Sequence, residues 1–129
     1  MGQKVYKVTI EYAHKDLKEL SAKERIMLKD TSDGISLGDL KEDEFVLLKP
    51  KAYAMLHIEN SEAESGEYNT LVIINEDDKK YTTSSENFFD TFADLMGELV
   101  DCEEDYQIKV FTKPSKNFKG KSFLTCTVI

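Results

Sequence analysis

The stretch TLVIINEDDKKYTTSSENFFDTFADLMGELV, residues 70–100, decides the expected fold. Its first five residues are mostly apolar and β-branched, which predicts a buried strand. The polar run NEDDK, residues 75–79, then predicts a tight turn, and KYTT, residues 80–83, predicts the returning strand of a hairpin. Ser84 and Ser85 are typical helix N-cap residues, so we expect the hairpin to lead directly into a helix.

The helix that follows the hairpin has one continuous apolar stripe. We expect it to run to about Val100 and to bury large side chains that recur at spacings of three and four: Phe88, Phe89, Phe92, Leu95, Met96 and Leu99. The opposite side is acidic, and we interpret it as a solvated helix face rather than a metal site: Asp90, Asp94, Glu98 and Asp101.

The segments on either side of this stretch complete the predicted architecture. Residues 45–58 predict one long strand bent near Pro50, and residues 106–113 and 121–129 predict two strands after the helix. The resulting order, β-β-β-α-β-β, is the order of an OB-fold, a five-stranded barrel with a helix between the third and fourth strands. We therefore expect a mainly β fold with α-helix, built as an OB-like barrel over residues 45–129.

An additional strand and helix precede the predicted barrel. In residues 4–12 the side chains alternate, which predicts a strand with one apolar side: Tyr6, Val8, Ile10 and Tyr12. Ser21 and Glu24 have the spacing of a capping box, which predicts a short helix to about Leu28. We expect residues 1–44 to form an N-terminal strand–helix extension within a single domain of residues 1–129.

Composition narrows the function classes. The 129 residues include 25 acidic and 17 basic side chains, for a net charge of −8. No apolar run approaches the ~18 residues that cross a bilayer, and the first residues lack the apolar core of a signal peptide, so we expect a cytoplasmic protein without membrane partners. Neither the two cysteines nor His14 and His57 have the spacing of metal ligands, and no nucleophile–base set is present. We expect no cofactor, no metal and no catalytic residues, and therefore no enzyme.

Charge is distributed unevenly along the chain. Residues 84–104 contain seven acidic and no basic residues, whereas residues 105–129 contain five lysines and one acid. The basic quarter holds FTKPSKNFKGKSF, residues 111–123, which interleaves lysines with phenylalanines. A local patch of this kind marks a contact for an anionic partner even in an acidic protein.

Alternation places these residues on one face of the last two strands. If the strands pair around residues 114–120, Phe111 is expected opposite Phe123 and Lys113 opposite Lys121. Facing lysines repel, and exposed rings are unfavourable, unless a flat-ringed anion lies between them. Single-stranded nucleic acid is such a ligand, because its bases stack on rings and its phosphates attract lysines. The predicted nucleic-acid-binding residues are Tyr81, Lys109, Phe111, Lys113, Lys116, Phe118, Lys119, Lys121 and Phe123.

Three segments together resemble a known family: LSAKERIMLKDTSDGISL (residues 20–37), KYTTSSENFFDTF (residues 80–92) and DYQIKVFTKPSKNFKGKSFLTCTVI (residues 105–129). They are similar to the small single-stranded DNA-binding proteins of phages and prophages of Gram-positive bacteria. The resemblance implies an OB-like fold, sequence-tolerant binding of single-stranded DNA and a role in phage replication or recombination. It makes further copies of the chain and replication or recombination proteins candidate partners.

Two alternatives explain the same residues differently. In the first, Phe111 and Phe123 are covered by the N-terminal segment or by a second subunit, and the protein is a structural or assembly protein of a phage or prophage. In the second, the acidic helix of residues 84–104 mimics DNA and blocks a DNA-binding enzyme. The acidic loop of residues 60–69 also argues against DNA binding, since it would flank the groove of an OB-fold.

Overall fold

A computed structural model describes residues 6–62, 64, 66–115 and 121–129. Within them the fold is mainly β, as predicted, with eight strands and two α-helices. The helices are α1 (Ala22–Lys29) and α2 (Glu86–Leu99). The strands are β1 (Tyr6–Ala13), β2 (Ile35–Ser36), β3 (Phe45–Leu48), β4 (Pro50–Asn60), β5 (Glu67–Asn75), β6 (Lys80–Thr83), β7 (Ile108–Pro114) and β8 (Ser122–Val128).

The hairpin and helix predicted from residues 70–100 are confirmed. β5 and β6 pair antiparallel, and the turn between them closes when the Asn75 N–H donates to the Lys79 carbonyl at 2.9 Å. Asp78 takes the left-handed conformation in this turn, with φ of 68°, a conformation that Asp tolerates better than most residues. The Ser85 hydroxyl accepts from the Phe88 N–H and caps α2.

The described strands form two sheets, and no closed barrel occurs among them. One sheet has the strand order β1-β4-β5-β6-β2, and the other has the order β3-β7-β8. The predicted long strand of residues 45–58 is wrong in one respect, because β3 and β4 belong to different sheets. Pro50 lacks an N–H and restricts the residue before it, so the chain leaves the first ladder at Lys49 instead of bending within it. The five-stranded OB barrel is therefore not confirmed.

The chain falls into two compact units. The first contains Met1–Ile35 and Pro50–Ser84, and the second contains Ser36–Lys49 and Ser85–Ile129. The units interleave along the sequence, whereas the predicted extension and barrel follow one another. The assignment of all 129 residues to a single domain stays a prediction.

The core of the first unit lies between α1 and the five-stranded sheet. Leu20 and Leu28 pack on buried side chains of β4 and β5, among them Leu56 and Val72. The predicted capping box is present, with the Glu24 N–H donating to the Ser21 hydroxyl at 3.1 Å and the Ser21 N–H donating to Glu24 at 3.2 Å. It fixes the start of a helix that is only eight residues long.

The core of the second unit lies between α2 and the three-stranded sheet. Phe88 and Phe92 are fully buried on α2, with their ring centroids 5.8 Å apart. The sheet contributes alternate residues of its strands to this core, and these are buried as well: Leu48, Ile108, Val110, Leu124 and Cys126. Burial raises the pKa of the Cys126 thiol to about 12, so that thiol is a core residue and not a nucleophile. No helix among the described residues combines the length and apolar character needed to cross a membrane.

Candidate nucleic-acid interface

One face of the three-stranded sheet carries rings and ammonium groups. β7 is the central strand and pairs antiparallel with β3 and with β8, so residues in register share a face. We call this surface the aromatic–lysine face; it consists of Phe45, Leu47, Lys109, Phe111, Lys113, Phe123, Thr125 and Thr127. Alternation produces it, because the buried residues of these strands point the other way, toward α2.

The register of β7 and β8 differs from the prediction by two residues. Phe111 lies opposite Thr125 and Lys113 lies opposite Phe123, so the predicted pairs Phe111–Phe123 and Lys113–Lys121 are wrong. The strands extend beyond Lys113, and the Ser115 N–H donates to the Lys121 carbonyl at 2.8 Å. A shift of two leaves every side chain on its predicted face, but it places a cation opposite a ring instead of opposite another cation.

The tightest cluster on the face joins β3 to β7. Phe45 lies opposite Phe111, and the Lys109 ammonium lies 4.9 Å from the centroid of the Phe45 ring and 5.4 Å from that of Phe111. Both distances are within the range of a cation–π interaction. The cluster therefore places one positive charge against two rings that neighbour each other across the strands.

The aromatic–lysine face is open to solvent. Phe45 is 56 % exposed and Phe123 is 37 % exposed, while Lys109 and Phe111 are half-buried. Lys113 is exposed and forms no ion pair with the part of the chain that the structure describes. Large rings that are exposed together in one patch are typical of an interaction surface, because an exposed ring contributes little to folding.

A groove of about 1120 Å³ borders the face at its β8 end. The hairpin contributes Lys113, Lys121 and Phe123 to the lining, and α2 contributes Asn87 and Asp90. Cations, a ring and hydrogen-bonding side chains thus meet in one concavity. Lys113, Lys121 and Phe123 suit a ligand that is both flat-ringed and anionic, whereas Asp90 on the α2 side repels an anion.

The other predicted site residues are placed as follows. Tyr81 lies on β6 in the five-stranded sheet and is only 8 % exposed, so its ring is part of a core rather than of the aromatic–lysine face. Lys121 is exposed and begins the return to β8. Lys116, Phe118 and Lys119 lie outside the described residues.

The sequence prediction missed Phe45 and Leu47. Both lie in the strand predicted over residues 45–58, a single long element to which the prediction gives no exposed face. The alternation within FVLL, residues 45–48, was the available signal, since Phe45 and Leu47 are exposed whereas Leu48 is buried. The pattern does not indicate that β3 pairs with β7, because Phe45 and its partner Phe111 are more than 60 residues apart in the sequence.

The acidic stripe of α2 is exposed as predicted, and a second polar cluster lies on the five-stranded sheet. Ligand atoms of His57, Glu59 and Glu67 lie within 4.8 Å of one another. His57 Nδ1 is 2.9 Å from Asn69 Oδ1, and Nε2 is 3.4 Å from Glu67. We interpret this cluster as a histidine held by its neighbours, and sequence spacing did not indicate it because cross-strand register brings the residues together.

Comparison of the chain with protein-family models, with curated proteins and with solved structures found no match.

Proposed function

We propose that this protein binds single-stranded DNA, without sequence preference, on the aromatic–lysine face. The observation that carries the proposal is the cluster of Phe45, Phe111 and Lys109 on an exposed sheet surface. Every base has a flat face that stacks on a ring, and stacking is therefore tolerant of sequence. Lysines beside the rings supply the attraction for the phosphates between the bases.

The spacing of the cluster fits neighbouring nucleotides. Residues directly opposite across antiparallel strands have Cβ atoms about 4.5–5.5 Å apart, so Phe45 and Phe111 form a continuous platform across β3 and β7. Phe123 and Lys113 extend this platform to β8. In a duplex the base faces are already stacked on each other, and only an unpaired strand offers them to a protein.

The element order supports a wider form of the proposal. If β3 and β4 are counted as two halves of one interrupted strand, the order from β3 onward is that of an OB-fold, with α2 between the third and fourth strands. We propose an OB-like, non-enzymatic, cytoplasmic protein that acts in phage replication or recombination. Its partners are single-stranded DNA, further copies of the chain and replication or recombination proteins.

A salt-dependent titration tests the proposal. Fluorescence anisotropy of labelled oligo-dT at ~50 and ~200 mM salt should show micromolar or tighter binding that weakens as salt rises, because bound lysines release counterions. A blunt duplex of the same length is the matched control and should bind much more weakly. Absence of binding to oligo-dT at the lower salt concentration would refute the proposal.

A second candidate function uses the same face as a subunit interface in a phage or prophage assembly. Phe45 and Leu47 on β3 and Phe123 on β8 are large exposed apolar side chains of the same sheet face, which favours burial against protein as much as against bases. Sedimentation velocity distinguishes the two functions. An oligomer that dissociates on Phe45→Asp, together with no affinity for oligo-dT, supports the interface and contradicts DNA binding.

A further inference from the structure

A small pocket lies within the first compact unit, between β1 and α1. Its volume is about 270 Å³, and we call it the β1–α1 pocket. Among the residues that the structure describes, three basic ones line it, Lys7 from β1 and Arg25 and Lys29 from α1, and no acidic residue does. The chain as a whole has a net charge of −8, so these three basic residues form a local positive patch, which attracts an anion.

The cations are available to a ligand. Lys7 and Lys29 form no ion pair with the described residues. The Arg25 guanidinium donates through Nη1 to the Leu20 carbonyl at 2.7 Å, which orients it beside the pocket while its other N–H groups stay unused by that bond. A carboxylate or phosphate in the pocket would therefore gain charge-assisted hydrogen bonds without first breaking an ion pair.

The remaining lining is aliphatic. Val8 and Ile10 are partly buried against the core, Leu20 is buried, and Leu17 is 41 % exposed. No aromatic side chain of the described residues lines this pocket, so these residues offer no stacking platform for a base. The volume suits one or two apolar side chains rather than a nucleotide.

The pocket runs along an edge of the sheet that the described residues form. Four consecutive residues of β1, Lys7 to Ile10, line it, although successive side chains of a strand point to opposite faces. Four consecutive strand residues line the same cavity when that cavity follows the main chain along the edge of the strand. β1 is the outermost strand of the five-stranded sheet, and a register shift between Ile10 and Tyr12 interrupts the strand just beyond the pocket.

We propose that the β1–α1 pocket binds an extended acidic peptide segment of a partner protein. The peptide adds to the edge of β1 through main-chain hydrogen bonds, inserts one aliphatic side chain over Leu20, and places carboxylates beside Lys7, Arg25 and Lys29. Strand addition with side-chain pockets is a general mode of peptide recognition. The bulge beyond Ile10 restricts the added strand to a few residues and protects the edge from pairing with other sheets.

A designed peptide tests this site without reference to DNA. The probe is a fluorescein-labelled hexapeptide, Glu-Val-Glu-Leu-Glu-Val, and its control has lysine in place of each glutamate. The protein should bind the acidic probe saturably at ~50 mM salt and should not bind the basic one. Lys7→Glu and Lys29→Glu should each weaken binding about fivefold or more, and Leu17→Ser should weaken it as well.

Lys23→Glu is the matched charge control, because Lys23 is an exposed lysine of α1 outside the pocket lining. Amide chemical-shift changes on peptide addition should concentrate at Lys7 to Ile10. The proposal is overturned by absence of saturable binding, by equal weakening with Lys23→Glu, or by shifts at Phe45 and Phe111 instead. Displacement of the peptide from this pocket by oligo-dT would also overturn it, since it would make the pocket a nucleic-acid contact.

Discussion

Phe45 and Phe111 lie directly opposite each other on β3 and β7, and the Lys109 ammonium is within 4.9 Å of one ring centroid and 5.4 Å of the other. The two rings form the hydrophobic part of the candidate site, and the ammonium lies against both of them. A phosphate that draws Lys109 away from the rings would leave their faces open to bases. Ring contacts and charge contacts thus occur at one place, but different measurements report them. Loss of a ring contact lowers the affinity for DNA, and loss of a charge contact reduces the dependence of that affinity on salt.

Removing either ring should weaken DNA binding while the fold survives. Stacking contributes about 1–3 kcal/mol per base, so Phe45→Ala and Phe111→Ala should each raise the Kd for oligo-dT by roughly tenfold or more. Phe45 is 56 % exposed, so its truncation should hardly change the free energy of unfolding. Anisotropy titrations at fixed salt, with urea unfolding of each variant, check both statements.

Tyr6→Ala is the matched control for the ring variants. Tyr6 is 59 % exposed and lies on β1 rather than on the aromatic–lysine face, so its removal should leave the Kd unchanged. If Tyr6→Ala and Phe45→Ala weaken the binding of oligo-dT equally, the binding is not specific to the aromatic–lysine face. Unchanged affinity in both β3 and β7 variants would assign the rings a structural or interface role.

Removing a lysine should change the salt dependence of binding. Lys113 is exposed and lies opposite Phe123, where a phosphate would follow a base stacked on that ring. Each phosphate contact on a single strand contributes about 0.7 to the slope of log K against log salt, so Lys113→Gln should reduce the slope by about that amount. Lys23→Gln, on the exposed side of α1, should leave the slope unchanged. A lower affinity with an unaltered slope would contradict a phosphate contact at Lys113.

The sequence predicted those parts of the fold that adjacent residues determine. The β5–β6 hairpin, the Ser85 cap and the apolar stripe of α2 are all encoded within residues 70–100. The structure has the hairpin and the cap, and it buries the first half of the stripe, Phe88, Phe89 and Phe92, while Leu95, Met96 and Leu99 are only partly buried. The capping box at Ser21 was likewise readable, because its two hydrogen bonds join residues three apart. Local chemistry decides such features, and no distant partner alters them.

The predictions that are wrong concern strand pairing between residues distant in the sequence, or the register of paired strands. Phe45 belongs to the site only because β3 pairs with β7, a contact that no pattern in either strand specifies. The Phe111–Phe123 pair was misplaced because the loop closes at Ser115 and Lys121. On β1 the shift between Ile10 and Tyr12 makes Glu11 an extra residue, so Tyr12 is exposed and leaves the predicted apolar side.

Lys80 should contribute to stability through the C-terminal end of α1. It is only 9 % exposed, and its ammonium donates to the carbonyls of Met27 and Asp30 at 2.8 and 2.6 Å. The carbonyls at the C-terminal end of a helix have no partner within the helix, and Lys80 satisfies that of Met27 in the last turn and that of Asp30, the C-cap residue. Lys80→Met keeps the apolar stem but removes the donor, and an unsatisfied acceptor costs about 1–3 kcal/mol.

Urea unfolding of Lys80→Met should therefore show a loss of about 2 kcal/mol or more. Lys79→Met is the control, because Lys79 is the adjacent lysine and is exposed, so its loss should be within about 0.5 kcal/mol. If the two variants unfold at the same urea concentration, neither the bonds to Met27 and Asp30 nor the ion pair of Lys80 with Asp33, at 3.3 Å, contributes to stability.

His57 should make stability depend on pH near neutrality. The hydrogen bond to Asn69 is the main cause that raises the pKa of His57, and the carboxylates of Glu67 and Glu11 raise it further, while desolvation opposes them. Glu67 lies 3.4 Å from Nε2, and Glu11 lies 3.6 Å from Nδ1. In the unfolded chain these partners are absent, and the pKa returns to about 6.5.

Because the folded pKa is the higher one, the folded protein holds the proton more tightly than the unfolded chain does. The stabilisation is fully present below pH ~6.5 and is lost as the pH rises through the folded pKa. The free energy of unfolding of wild type minus that of His57→Gln should therefore decrease between pH ~6 and ~8. An NMR titration should show the His57 pKa lowered by Asn69→Ala, because that variant removes the main cause of the shift. A wild-type advantage that grows with pH over the same range would mean that His57 is neutral in the fold, and the cluster would then stabilise the protein by its hydrogen bonds alone.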